Sequence, residues 1–278
     1  MATVLKENTA TWLTSQIAKG RTGTHACMVE LTPELASEIL DRNFDNRNIN
    51  QLRVGVYASD ITEGRWAANG ESIIISRDGL LNDGQHRCAA VVQANKSIDT
   101  LIVFGVDRET RMTTNMGKVK GAGDFAAMDG LPNANVLAAM SRLAIAFETG
   151  SAYGGNTAST PRVLEYIHTN KDALIPSMHF ATRYAGKLSH MVSATPVAFC
   201  HYVCAKINQP AADEFFTQVC LGEMLQSGDP AFVTRARMLQ LGKARMPKVE
   251  AMLHGWNAFR RGQVRTIIRL TGSLPQIV

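Results

Sequence analysis

The stretch LLNDGQHRCAAVV, Leu80 to Val92, decides how the first half of this chain is read. Two leucines close an extended segment, six polar or flexible residues follow, and Cys88 to Ala94 resumes with the apolar spacing of a helix. A chain that leaves a strand, passes through a glycine and enters a helix aims free backbone N–H groups and the positive end of the helix dipole at one point. That point attracts phosphate. Gly84 lets the backbone approach closely, and His86 and Arg87 add donors, the guanidinium being able to grip two phosphate oxygens at once. Asp83 works against an anion unless it holds Mg²⁺, takes a proton from a nucleophile, or caps the helix. The alternative is a capped helix whose His86 and Arg87 are solvated.

Working outward, the upstream sequence supplies the elements that would frame such a site. Ala26 to Leu31 reads as a strand, and Thr32 then caps a helix with Pro33 in its first turn and Leu35, Ala36, Ile39 and Leu40 on its buried face. Asn43 to Asn50 is a polar loop. A second helix runs through Val54, Tyr57, Ala58 and Ile61 and ends at Gly64. Ser72 to Ser76, the turn Arg77-Asp78-Gly79 and Leu80-Leu81 form a β-hairpin, and Thr100 to Val106 is a further strand. Residues 1–24 carry one short amphipathic pattern and exit through GRTGT, so they read as an N-terminal arm or swapped helix.

After about Gly121 the apolar residues recur at three and four, in Leu137 to Phe147, Val163 to Ile167, Val197 to Ile207, Phe215 to Leu225, Phe232 to Leu241 and Val249 to Phe259. No strand pattern competes there. The expectation is therefore an α+β protein: an arm at 1–24, a small α/β domain at 25–120 and an all-helical domain at 121–278 with a basic C-terminal region. Pro176 and Pro196 are expected to break the helical phase. His168, His179, His190 and His201 recur every eleven residues, but nothing around them repeats.

A hydrophobic fraction of 45 % in 278 residues is enough to fill a real core. The sequence has neither a membrane-length apolar run nor the pattern of a signal peptide, so the expectation is no membrane partner and a cytoplasmic location. Five cysteines without framework spacing suit reduced thiols. Cys200, His201 and Cys204 resemble a ligand set only on paper, since small buried cysteines on one helix face account for them. Residues 1–120 hold 14 basic and 14 acidic side chains, and residues 121–278 hold 15 and 10, so the net charge of +5 belongs to the second half. Between Arg235 and Arg269 nine basic residues stand against one acid, Glu250. Arg260, Arg261, Arg265 and Arg269, beyond a stripe carrying Trp256 and Phe259, form a positive rim suited to DNA, or else a basic solvated face.

The string DGQHR, after a β-hairpin and opening a helix, resembles the phosphate-binding motif of the ParB/sulfiredoxin superfamily. It matches by letter the DGQHR domains associated with phage and DNA-modification loci. Asn46-Arg47 resembles the asparagine-arginine region before the family's second helix, and YASDITEGRW, Tyr57 to Trp66, resembles that helix and its terminal glycine. The resemblance spans about Ala26 to Val106. It implies a ParB/sulfiredoxin-like fold for the first domain and ATP or CTP with Mg²⁺ as cofactors. Gly84, Gln85, His86 and Arg87 would hold the nucleotide phosphates, with Asn46 and Arg47 closing over them. A phage-encoded member would work in the host cytoplasm.

Sulfiredoxins need a cysteine where this chain has Gln85, and chromosome-partitioning ParB proteins carry a glutamate-arginine version of the motif. Archaeal free-serine kinases, with DGHHR, are closer in letters. The resemblance thus implies a nucleotide-dependent phosphohydrolase or phosphotransferase working on or beside DNA. Asp83 would be the base or Mg²⁺ ligand, and Glu30 a further candidate base. A non-catalytic ParB-like DNA-binding module is the alternative, with Thr160 to Leu174 and Ser193 to Ile207 as helices of a helix-turn-helix, and a nuclease is a third. A homo-oligomer is compatible with the sequence.

Overall fold

The computed structural model describes residues 8–112, 120–154, 158–188, 190–223 and 225–278, so the first seven residues of the expected arm lie outside the described residues. The chain is mixed α+β and divides into two compact units, Met1–Val119 and Lys120–Val278.

The first unit is built on helix α1 (Thr9–Thr22), strand β1 (His25–Leu31), helices α2 (Pro33–Leu40) and α3 (Gln51–Thr62), strands β2 (Ser72–Ser76) and β3 (Leu81–Asp83), helix α4 (Gln85–Ala94) and strand β4 (Ile98–Val106). The strands form one open sheet in the order β1-β4-β2-β3. β4 is antiparallel to β1 and parallel to β2, and β2 and β3 make an antiparallel hairpin. Alternate residues are buried, Val29 and Leu31 on β1, Ile73 and Ile75 on β2, Ile98, Ile102 and Phe104 on β4, as the two-residue period of a strand requires. Local chemistry sets the helix starts. Thr32 Oγ1 accepts from Leu35 N at 3.3 Å with Pro33 in the first turn, and Asn50 Oδ1 accepts from Arg53 N at 3.1 Å.

The segment read as an arm is a core helix. Trp12, Leu13 and Ile17 of α1 are buried in the same cluster as Phe104, and α1 meets β4 where Gly20 faces Gly105. Gly105 has φ +85°, and a methyl group there would collide with the carbonyl oxygen of Gly20. Gly105→Ala is therefore expected to cost about 2–4 kcal/mol, from the left-handed backbone and the overpacked contact together. The midpoint of denaturant unfolding measures it, and a loss under about 0.5 kcal/mol, the scale of an ordinary surface substitution, would mean that α1 does not dock on β4.

In the second unit, α5 (Ala122–Met128), α6 (Ala134–Glu148), α7 (Thr160–Arg183), the short α8 (Ala185–Leu188), α9 (Ala194–Leu221), α10 (Pro230–Gln240) and α11 (Arg245–Arg260) surround one apolar cluster. Pro176 lies inside α7 without ending it, and Pro196 sits in the first turn of α9, where proline's missing N–H costs nothing. α9 instead turns sharply at Asn208, whose φ of −154° and ψ of 99° are non-helical, and Asn208 Oδ1 caps the second arm at Ala211 N, 3.0 Å. That bend lets His201 Nε2 and Asp213 Oδ1, twelve residues apart, meet at 2.9 Å, while Ser177 Oγ of α7 lies 3.0 Å from His201 Nδ1. Both ring nitrogens of His201 are thus engaged, one by the buried Ser177 and the other by the half-exposed Asp213.

Residues 263–278 run as an irregular strap beside α11. The Trp256 indole donates to the carbonyl of Val278 at 2.9 Å and Asn257 Nδ2 to that of Gln276 at 2.7 Å. Glu250, 1 % exposed, accepts from the Tyr153 hydroxyl, the backbone N–H and hydroxyl of Thr271, and Gly272 N. No helix among the described residues is long and apolar enough to cross a membrane.

Candidate functional site

The quoted stretch does assemble a cleft. Gly84, not Asp83, is the N-cap of α4, and the cap makes no side-chain hydrogen bond. The expected capping role of Asp83 therefore falls away, because the chain turns one residue later, through φ +107° at Gly84. A side chain at Gly84 would also press on Ile73 Cγ1 at 2.8 Å, so the glycine serves the hairpin-to-helix turn as much as any ligand. Around this turn Arg47, Arg53, Tyr57, Glu71, Asp83, Gly84, Gln85, His86 and Arg87 line a cleft of about 60 Å³. That is room for a small anion or a few waters and far below the size of a whole-nucleotide pocket.

Two backbone donors open the helix. Arg87 N and Cys88 N both donate to Gly84 O, at 2.9 and 3.0 Å, whereas the N–H groups of Gln85 and His86 meet no acceptor among the described residues. Asn50, the N-cap of α3, donates its backbone N–H to His86 Nε2 at 3.1 Å. The positive ends of α3 and α4 therefore meet at His86. That contact makes Nε2 the unprotonated nitrogen. Burial, reinforced by the nearby cations Arg47 and Arg53 and opposed by Asp83, holds the His86 pKa below the ordinary histidine value. His86 is a neutral ring here, not the cationic donor expected from the sequence.

Arg87 is the larger correction. Expected to grip phosphate oxygens, it is 8 % exposed and spends its fork on the chain: Nη1 donates to Glu71 O at 2.6 Å and Nη2 to Ser72 O at 2.7 Å, with Asp83 Oδ2 3.6 Å away. A guanidinium fills this place because two carbonyls at the mouth of β2 need two parallel donors. Asn46 is likewise structural, its Nδ2 donating to Asn43 Oδ1 at 2.7 Å and Leu81 O at 2.6 Å. Gln85 Nε2 donates to Arg47 O at 2.9 Å, pinning the polar loop to α4.

The exposed cations of the cleft are Arg47 and Arg53. Arg47 is exposed at the cleft, and its guanidinium has no hydrogen-bond or ion-pair partner among the described residues. Arg53 stands one helical turn from Tyr57, Nε to the phenol oxygen 3.0 Å, its guanidinium 5.5 Å over the ring. Sequence reasoning missed Arg53, Tyr57 and Glu71. The available signal was a cation in the first turn of α3, where the helix dipole disfavours it, but one such charge does not separate a site from a solvated face.

Glu30 is not brought to the cleft. It lies on β1, opposite Asp99 of β4, at the sheet edge away from β3, so about three strand spacings, roughly 14 Å, separate the two edges. In the other unit, Arg260, Arg261, Arg265 and Arg269 are all exposed, with no acidic residue between 251 and 278. Trp256 is wholly buried and forms no stripe beside them, although the Arg260 guanidinium lies 5.6 Å over its ring. The helix-turn-helix reading loses its recognition helix, since residues 196–204 of α9 are buried without interruption and leave no face for a groove.

Comparison of the chain with protein-family models, with curated proteins and with solved structures gave no match.

Proposed function

We propose that the cleft at the start of α4 binds a phosphate group of ATP or CTP, and that the chain is a nucleotide-dependent phosphohydrolase or phosphotransferase on a ParB/sulfiredoxin-like scaffold. The observation that carries this reading is the convergence of the unengaged N–H groups of Gln85 and His86 with the exposed Arg47 and Arg53, at a point where two helix N-termini meet. The phosphate chemistry passes from His86 and Arg87 to those backbone amides and the two other arginines. Asp83, 27 % exposed and lining the cleft, is the group placed to take a proton from an attacking hydroxyl or water, or to hold Mg²⁺ together with the substrate's own phosphates. The small cleft volume restricts the enclosed part of the ligand to a phosphate, leaving sugar and base outside against Tyr57 and Arg53.

The test is incubation with labelled ATP or CTP, with and without Mg²⁺ and DNA. Phosphate release or transfer supports the enzyme, and binding without turnover supports the regulatory module. Arg47→Ala with Arg53→Ala is expected to weaken nucleotide binding at least about tenfold, since hydrogen bonds to charged groups are worth about 1.5–3 kcal/mol each. The unfolding midpoint should stay put, because both side chains are exposed. Unaltered affinity in this double variant would remove the phosphate reading.

DNA as a partner rests on the four exposed arginines of residues 260–269. Replacing Arg260, Arg261 and Arg265 by Gln is expected to flatten the slope of log affinity against log salt by up to about three, as each phosphate contact on duplex DNA contributes about 0.9. A slope identical to the parent's would withdraw DNA and leave the nucleotide site standing.

A further inference from the structure

The strap of residues 263–278 has neither helix nor strand of its own, yet it is pinned along its length. Arg265 N donates to Gly228 O at 2.9 Å, Ile268 is 4 % exposed within the apolar cluster of the second unit, and the backbone N–H and hydroxyl of Thr271 both donate to the buried Glu250. Between these anchors Val264 is 79 % exposed and Ile267 56 %. A Cβ added at Gly228 would stand 2.8 Å from Val264 Cγ1, so Val264 rests against the bare backbone of that turn. Single exposed aliphatic side chains are ordinary on a protein surface. These two, however, stand among Arg260, Arg261, Arg265 and Arg269, all exposed, with no acidic residue between 251 and 278. Asp229, the acid next to Gly228, is turned to Gln226 N at 2.7 Å.

We infer that the strap is a minor-groove wedge, its arginines on the phosphates and Val264 and Ile267 pressed against sugars and a partly unstacked base step. This rests on the DNA reading of the four arginines and deepens it. Phosphates alone satisfy the guanidinium groups and leave both aliphatic side chains in water. Duplex DNA offers apolar surface as well, in the sugar walls of the minor groove and in base faces freed by unstacking. A helix or a two-stranded ribbon fills the major groove, about 12 Å wide, whereas a single irregular strap matches the minor groove, about 6 Å wide. Proteins that bind there set cations along the groove and push an aliphatic residue between base steps, kinking the duplex by about 20–90°. The anchoring at Gly228, Ile268 and Glu250 serves the same end, because a wedge held rigid in the free chain loses little further freedom on binding. An anionic lipid surface also offers charge and apolar depth, but segments that lie in it do so as an amphipathic helix, which residues 263–278 do not form.

The test titrates the whole chain, as parent and as Val264→Ser with Ile267→Ser, onto a short duplex carrying a fluorescence donor and acceptor at its two ends, over a range of salt. The parent is expected to bend the duplex by about 20–90°. The double variant should bind at least about tenfold more weakly and leave the duplex straight, because two apolar side chains no longer gain by leaving water. Its slope of log affinity against log salt should remain the parent's, since every arginine is kept. Both side chains are exposed, so the unfolding midpoint should not move. A parent that binds the duplex without bending it, or a double variant that bends it as the parent does, would overturn the wedge and leave DNA held by its backbone alone. A parent that binds no duplex would overturn the DNA reading itself, and the wedge with it. Tighter binding to vesicles of phosphatidylserine and phosphatidylcholine than to the duplex, lost in the double variant, would overturn the wedge in favour of a lipid surface.

Discussion

Arg87→Ala is expected to destabilise the first unit by about 3–5 kcal/mol, because two charge-assisted hydrogen bonds worth about 1.5–3 kcal/mol each disappear together. The loss is one of support, not of ligand contact. Arg87 ties the first turn of α4 to the carbonyls of Glu71 and Ser72, the residues that lead into β2. Without it those carbonyls lose their donors and Asp83 loses the cation 3.6 Å away. Lysine cannot replace the fork, since it presents one compact charge where two parallel donors are needed. Arg87→Lys should therefore recover less than half of the loss. The experiment is equilibrium denaturation of parent, Ala and Lys variants, beside nucleotide binding under conditions where all are folded. A denaturation midpoint unmoved by Arg87→Ala, with binding abolished, would return the arginine to the phosphate and overturn its structural role.

The second large effect concerns Glu250, buried beneath the strap of residues 263–278. Glu250→Ala should cost about 3–5 kcal/mol, the scale of removing one partner from a buried charged network. Tyr153 and the donors of Thr271 and Gly272 would then face a cavity. The carboxylate also titrates with a definite sign. Burial pushes its pKa up, but the hydrogen bonds from Tyr153, Thr271 and Gly272 together outweigh burial and hold it below the ordinary glutamate value. A folded-state pKa below the unfolded one, about 4.3, gives stability that is fully present above that pH and is lost as pH falls through the folded value. Glu250→Gln should thus be less stable than the parent near neutral pH and show a shallower acid limb. An acid limb as steep as the parent's would place the acid sensitivity on other carboxylates.

Much of the first unit's element order was legible in residues close together in the chain. Thr32 with Pro33 and the Arg77-Asp78-Gly79 turn act over three or four positions, and the short apolar runs of β2 and β4 need no distant partner to be seen. The second unit's helices were legible from apolar residues recurring at three and four, except for α5, the short α8 and the passage of α7 through Pro176. α5 was missed because seven residues with two alanines at its buried positions give little contrast, and Pro176 misled because a proline interrupts a helix only where the lost bond is not replaced by packing.

The sequence by itself determined an α+β chain, the position of a strand-to-helix turn with glycine at its centre, and an uneven distribution of charge. Tertiary structure alone decided what each side chain at that turn does. Whether Arg87 reaches a phosphate or a carbonyl depends on residues 71 and 72, sixteen and fifteen positions away, and whether His86 is charged depends on an amide at residue 50. The strap over Glu250 was invisible for the same reason, since its donors come from residues 153, 271 and 272. Propensity and periodicity describe a residue's neighbours along the chain, whereas a buried polar group is governed by the donors and acceptors that folding brings within about 3 Å of it.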